Sequence, residues 1–220
     1  MRGLYALKPW YTRRLTSIVR VATARDISPD VFTVVGVVSA LGAGAAIASG
    51  SWVLALVLLA GRLAGANLDG AVARARGVSR PWGFVLNELG DRAGDLAMFA
   101  GLVVLAERTT DVGWGSSWAT GWVLVAAVSA TLPTFASLSG AGAGAQRLNG
   151  GPFGKTERCA VVVVATAVPA WIPAISVIIV VGSLVTVVVR LRSVHRQLTA
   201  GRGRAPRKAD GAATPAPEGE

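Results

Sequence analysis

Residues 67–95 read NLDGAVARARGVSRPWGFVLNELGDRAGD and place eight charged side chains in the middle of an apolar chain. On both sides of this stretch the sequence is close to pure Ala, Val, Leu and Gly. Over 220 residues the chain is 52% apolar and 15% charged, with a mean hydropathy of +0.53. Soluble domains carry roughly 25% charged residues. The composition therefore predicts a one-domain integral membrane protein, in which charged residues within spans are costly and usually functional.

Apolar segments of about 20 residues, the length that crosses a bilayer, recur along the chain. The six predicted membrane-spanning helices are 31–50, 52–68, 84–107, 118–138, 157–170 and 174–189. The last two are short, so one bent segment and a total of five spans is the alternative. Six spans place the basic region 190–208 on the same cytoplasmic side as the other basic loops, as the positive-inside rule requires. Both termini are then cytoplasmic.

The two ends differ in character from this membrane domain, which we assign to residues 29–195. Residues 1–28 alternate basic and apolar positions at helical spacing and predict an amphipathic helix in the membrane interface, with a solvated basic leader as the alternative. We recognise no cleavable signal peptide. Ser28 before Pro29 predicts the start of the first span. Residues 196–220 are basic, then rich in Pro and Ala, and predict a disordered tail. The single Cys159 excludes an internal disulfide, and the lone His195 is interpreted as a surface residue.

The acids of the charged stretch follow a helical pattern. Asn87, Asp91 and Asp95 recur every four residues and share one face of the third predicted span, whereas Glu88 lies on an adjoining face. Asp69 ends the second span. A loop of about a dozen residues joins these two spans, which we expect to be antiparallel neighbours, so Asp69 can face Asp91. Oxygen ligands from two helices suit a hard divalent cation, Mg²⁺ or Mn²⁺.

The same charges have a second interpretation. Arg62, Arg74 and Arg92 could neutralise the acids as buried ion pairs that lock the helices together. We favour the functional interpretation because ion pairs would not require the neighbouring Gly and Ala positions. Gly70 and Gly83 permit close approach of a ligand to the backbone, and Arg74 can present its planar guanidinium to a phosphate. The pattern indicates attack on a phosphate ester at the cytoplasmic membrane surface.

Residues 69–91 resemble the signature of the CDP-alcohol phosphatidyltransferases in order and spacing: Asp69-Gly70, Ala73-Arg74, Gly83 and Asp91. The likeness extends over residues 5 to about 195. It implies a six-helix membrane fold, usually homodimeric, and transfer of a substituted phosphate from a CDP-alcohol to an acceptor hydroxyl with release of CMP. It also implies that Asp69 binds metal and that Asp91 takes the proton of the acceptor. The CDP site would be lined by Gly70, Ala73, Arg74 and Gly83.

Two positions depart from this signature. Ala66 and Asn87 stand where the family pattern has acids, and an asparagine can ligate a metal through its carbonyl oxygen but brings no charge. Three possibilities stay open: one metal in place of two, a rearranged two-metal site that adds Asp95 or, less favourably, Glu88, or a degenerate site without transferase activity.

Downstream, Arg147, Lys155 and Arg158 form a basic group on the predicted cytoplasmic side. They could bind the phosphate of an acceptor such as glycerol phosphate or inositol phosphate, or they could only fix the topology. The sequence does not choose the acceptor.

The resemblance implies an enzyme of phospholipid synthesis that uses CDP-diacylglycerol, in the membrane and without a nucleic-acid partner. The high Ala, Gly, Val and Arg content predicts a bacterial source. Two other functional classes are alternatives. One is a non-catalytic family member that binds CDP-lipid or cations without turnover, which Ala66 and Asn87 favour. The other is a small transporter, which the Gly and Ala-Arg spacing disfavours because a proton path would not need it.

Overall fold

The computed structural model describes residues 13–109 and 114–202, without the side chains of 114–117, 201 and 202. Within these ranges the chain forms helices and turns and no strand, so the all-α prediction is confirmed there. The α-helices are α1 (Thr16–Ala24), α2 (Pro29–Ala48), α3 (Trp52–Ala75), α4 (Pro81–Thr109), α5 (Trp114–Gly142), α6 (Lys155–Ala167) and α7 (Ile172–Arg202). A 3₁₀ turn, Pro169–Trp171, directly precedes α7.

Four segments of the described chain are long and apolar enough to cross a membrane. They are Pro29–Ala48, Trp52–Ala75, Trp118–Gly142 and Pro169–Ala200. Large apolar side chains such as Val38, Val128 and Phe135 lie exposed on these helices, as contact with lipid requires. By contrast, α4 carries several charged residues and α6 has only 13 residues. The membrane character is supported, but the predicted count of six spans is not confirmed.

The start of α2 follows the sequence prediction. Pro29 is its first residue, and the Ser28 hydroxyl accepts a hydrogen bond from the Asp30 backbone N–H at 3.3 Å. Within the predicted interfacial segment the structure describes residues 13–28, of which Thr16–Ala24 form α1, and residues 1–12 lie outside the described ranges. At the other end α7 continues to Arg202, past the predicted start of the tail at residue 196, while 203–220 lie outside the described residues.

Helix α2 packs along both α3 and α4 through small residues. A Cβ on Gly65 would stand 2.7 Å from the Cα of Gly36, and one on Gly101 would collide with the Gly44 carbonyl oxygen. Such contacts let helix backbones approach closely. Because α2 occupies this position, α3 and α4 touch each other at few positions. The expected antiparallel pairing of these two helices is therefore wrong for most of their length, and the loop between them spans only residues 76–80.

The second half of the molecule places the start of α6. Helices α5 and α7 pack along each other, and the loop 143–154 is fastened to α7. The buried guanidinium of Arg190 donates to the carbonyl oxygens of Pro133, Asn149 and Gly150. The Thr186 hydroxyl accepts from the Phe153 backbone N–H at 3.1 Å. These contacts fix the residues immediately before Lys155.

Candidate active site

A cavity of about 740 Å³ lies between the beginnings of α2 and α4, the end of α3 and the loop that precedes α6. It contains every site residue that the sequence predicts except Asp95. The lining residues from that set are Asp69, Gly70, Ala73, Arg74, Gly83, Asn87, Glu88, Asp91, Arg147, Lys155 and Arg158. Residues that lie up to ninety positions apart in the chain thus line the same cavity.

Asp69 is buried at the end of α3, and its carboxylate is held by neutral donors. Its Oδ2 accepts hydrogen bonds from the Thr33 hydroxyl at 3.1 Å and from the Asn87 side-chain amide at 2.7 Å. Its Oδ1 accepts from the Gly70 backbone N–H. Asn87 stands where the family signature has an acid. It therefore contacts Asp69, a signature acid that this chain retains.

The predicted CDP residues line one side of the cavity. A Cβ on Gly70 would stand 3.1 Å from a terminal nitrogen of Arg74, so the glycine leaves room for the exposed arginine to lie along the helix. Gly83, at the start of α4, has nothing within 4 Å of its Cβ position. This side offers a guanidinium and open backbone, which suit a phosphate group.

Three acids of α4 each pair with one predicted acceptor cation, an arrangement we call the α4 ion-pair row. Its members are the pairs Glu88–Arg147, Asp91–Lys155 and Asp95–Arg158. The Lys155 Nζ lies 2.6 Å from Asp91 Oδ1, and the Arg158 guanidinium lies 3.2 Å from Asp95 Oδ2. Arg147 also lies 4.6 Å over the Phe84 ring. The acidic and basic groups found in the sequence therefore neutralise each other in part.

Asp95 lies behind the cavity wall among three arginines. Arg62 of α3 donates to its Oδ1 at 2.6 Å, while Arg92 and Arg158 approach its Oδ2 at 3.1 and 3.2 Å. The Arg62 side chain is 2% exposed, and it also donates to the Asp91 backbone oxygen at 3.0 Å. This geometry favours the ion-pair interpretation for Asp95. Its role as a metal ligand stays a prediction.

Sequence reasoning missed Thr33 and Arg190 as parts of the site. Thr33 lies one turn into α2 and reaches Asp69 across the helix pair, and Arg190, assigned to a basic tail region, is buried under the cavity loop.

The oxygen donors that the cavity offers at the signature positions suit a divalent cation. Among the described residues, no three His, Cys, Asp or Glu side chains form a group that could hold a metal ion. Asp69 and Asp91 are the carboxylates left at the signature positions, and Asn87 can add a neutral carbonyl oxygen. Two carboxylates cannot neutralise two divalent ions, whereas they match the charge of one.

Comparison with known proteins agrees with this geometry. The sequence profile of the CDP-alcohol phosphatidyltransferase family matches residues 26–200. No curated protein sequence matches the chain. The fold is similar to that of phosphatidylinositol phosphate synthase from Mycobacterium tuberculosis with CDP-DAG bound, at 26% identity and a TM-score of 0.67, covering 92% of this chain and all of that one.

Two further structures of the same mycobacterial protein resemble this chain. One, in complex with manganese and citrate, has 24% identity and a TM-score of 0.68 and covers 92% of this chain and 95% of the other; it bears on the fold alone. The apo form has 26% identity and a TM-score of 0.64, covering 81% and 95%.

A helical membrane fold whose cavity carries the residues Asp69-Gly70, Ala73-Arg74, Gly83 and Asp91 defines a class of lipid-synthesising transferases. The chain belongs to the CDP-alcohol phosphatidyltransferase family, and the resemblance inferred from its signature is confirmed.

Proposed function

We propose that this protein transfers the phosphatidyl group of CDP-diacylglycerol to the hydroxyl of an acceptor alcohol and releases CMP. The observation that carries the proposal is the single cavity that gathers the signature residues of the family. Its similarity to a synthase that binds CDP-DAG supports the choice of lipid donor.

The residues of the cavity suit the two halves of this reaction. Arg74, which lies over Gly70, and the open backbone at Gly83 bind and orient the diphosphate. The acceptor oxygen attacks the phosphorus of the phosphatidyl group, the bond from that phosphorus to the bridging oxygen breaks, and CMP leaves. Asp91 accepts the proton of the attacking hydroxyl. Because Asp91 is paired with Lys155, the acceptor must lie beside Lys155.

Asp69, Asp91 and the Asn87 carbonyl oxygen would hold a single Mg²⁺ or Mn²⁺. When bound, such an ion supplies positive charge that screens the diphosphate and stabilises the leaving phosphate. Measuring CMP release with each metal in turn identifies which of the two ions this protein uses.

The acceptor is expected to carry a phosphate, as the basic group of the cavity suggests. Arg147 is the best placed of the three predicted cations, since it lines the cavity, is partly exposed and is held by Glu88 and the Phe84 ring. Arg158 is 3% exposed and paired with Asp95, so it supports the wall from behind. Lys155 faces Asp91.

We place the protein in a bacterial cytoplasmic membrane, with both termini and the cavity on the cytoplasmic side. The basic residues near the cavity and in α7 support this orientation. A homodimer, usual in this family, is the proposed assembly.

The proposal is tested by CMP release from the purified full-length protein in detergent. CDP-diacylglycerol is supplied with Mg²⁺ or Mn²⁺ and a panel of free and phosphorylated alcohols. We expect CMP release that depends on one acceptor of the panel. Binding of CDP-diacylglycerol without CMP release from any acceptor would instead identify a family member that binds CDP-lipid without turnover, the function that Ala66, Asn87 and the Asp91–Lys155 pair favour as second candidate.

A further inference from the structure

We propose that the ammonium group of Lys155 takes the place of a second divalent cation, so that this site binds at most one such ion. The proposal rests on the proposed function for the identity of the site. It concerns how the positive charge that faces the diphosphate is supplied.

The geometry singles out Lys155 among the cations of the cavity. Its Nζ lies 2.6 Å from the Oδ1 of Asp91, and the two side chains are 23% and 20% exposed. A lysine ammonium is a compact point charge with three donors. Asp69, the other signature carboxylate, is contacted by the neutral donors of Thr33, Asn87 and Gly70. The positive charge of the Lys155 ammonium therefore lies beside Asp91 and not beside Asp69.

The charges of the site favour a single ion. Asp69 and Asp91 bring two negative charges and Lys155 one positive charge. One divalent cation leaves this set with a net charge of about one positive unit, which suits an anionic diphosphate, whereas a second cation would leave about three. Because Ala66 and Asn87 supply no carboxylate, no further charge at the signature positions offsets that excess.

The fold holds Lys155 in place. It is the first residue of α6, and the Glu157 carboxylate accepts a hydrogen bond from the Gly154 backbone N–H at 2.9 Å just before it. One turn later Arg158 pairs with the buried Asp95 of α4. The start of α6 is thus anchored to the helix that carries Asp91, and the ammonium is positioned by the packing of two helices.

The test is a titration of the full-length protein in detergent with Mn²⁺ alone, with free Mn²⁺ measured by electron paramagnetic resonance. We expect no more than one Mn²⁺ per wild-type chain. Lys155→Gln should bind Mn²⁺ roughly tenfold more tightly or better, since a positive charge beside the ligand Asp91 is removed. Lys155→Arg keeps the charge. Arg80→Gln removes an exposed cavity cation paired with Asp30, where solvent screens the charge. Both should stay within about threefold of wild type.

Two bound Mn²⁺ per wild-type chain would overturn the proposal, and so would an unchanged affinity in Lys155→Gln or an equal gain in Arg80→Gln. The CMP assay is a separate measurement. If the chain binds at most one Mn²⁺, only Lys155→Gln gains Mn²⁺ affinity and no CMP is released, this inference stands and the proposed function is rejected. Two Mn²⁺ with CMP release would do the reverse.

Discussion

Asp91 is held at both its side chain and its backbone. Its carboxylate faces Lys155, and its carbonyl oxygen accepts a hydrogen bond from Arg62. The backbone contact and the packing of α4 do not need the carboxylate. These contacts therefore hold Asp91 in a fixed orientation. The backbone contact with Arg62 remains when the Asp91 side chain is replaced.

Asp91→Asn is predicted to lower the rate of CMP release at least about 100-fold, because an amide cannot take the proton of the acceptor. The melting temperature in detergent should change by no more than a few degrees. Asp26→Asn is the matched control, since this exposed acid lies in the turn before α2 and, among the described residues, forms a salt bridge with Arg76 alone. If Asp91→Asn keeps the wild-type rate, Asp91 is not the base.

At the scale of elements, the position of α2 between α3 and α4 depends on residues without side chains. Gly44 of α2 meets Ala97 and Gly101 of α4, and Gly36 meets Gly65 of α3. These contacts set how far the end of α3 stands from the start of α4. The width of the cavity is therefore decided partly by glycines that lie outside it.

Gly101→Ala is predicted to lower the melting temperature by roughly 2–10 °C, because the new methyl group collides with the Gly44 carbonyl and overpacking costs about 1–3 kcal/mol. Gly121→Ala is the matched control on α5, where a Cβ meets nothing within 4 Å and alanine improves helix propensity. Differential scanning fluorimetry compares the two variants. Equal melting temperatures would show that the α2–α4 crossing tolerates the added methyl group.

Across the whole molecule, Asp95 connects helices that are distant in sequence. Arg62 reaches it from α3, Arg92 from its own helix and Arg158 from α6. The carboxylate is the common partner of three cations in a buried place. It joins the α2–α4 part of the bundle to the part that carries Lys155.

Asp95→Asn is predicted to destabilise the fold by about 3–5 kcal/mol, because it leaves buried arginines without their counter-charge. Asp91→Asn serves as the comparison, since it removes one pair in a partly exposed place. Unfolding in detergent with increasing denaturant measures both. A loss for Asp95→Asn no larger than for Asp91→Asn would contradict the role of Asp95 as the buried junction.

Local patterns were sufficient for the all-helical character of the described chain and for most of the residues that line the cavity. The capped start at Ser28–Pro29 and the all-helical character follow from neighbouring residues, whose preferences act within one or two turns. The four-residue spacing of Asn87, Asp91 and Asp95 correctly describes one helix, but it does not say what each member faces. Asn87 contacts Asp69, Asp91 contacts Lys155, and Asp95 is enclosed by arginines.

The sequence by itself determined an apolar helical chain of membrane character, its family and most of the predicted residues that line the cavity, because these depend on composition and on fixed local spacing. Only the tertiary structure decided that α2 packs between α3 and α4 and that each acid of the α4 ion-pair row faces a cation from the second half of the chain. The physical reason is that pairing between helices depends on how closely their backbones approach. Glycine contacts such as Gly36–Gly65 and Gly44–Gly101 set how closely α2 approaches α3 and α4.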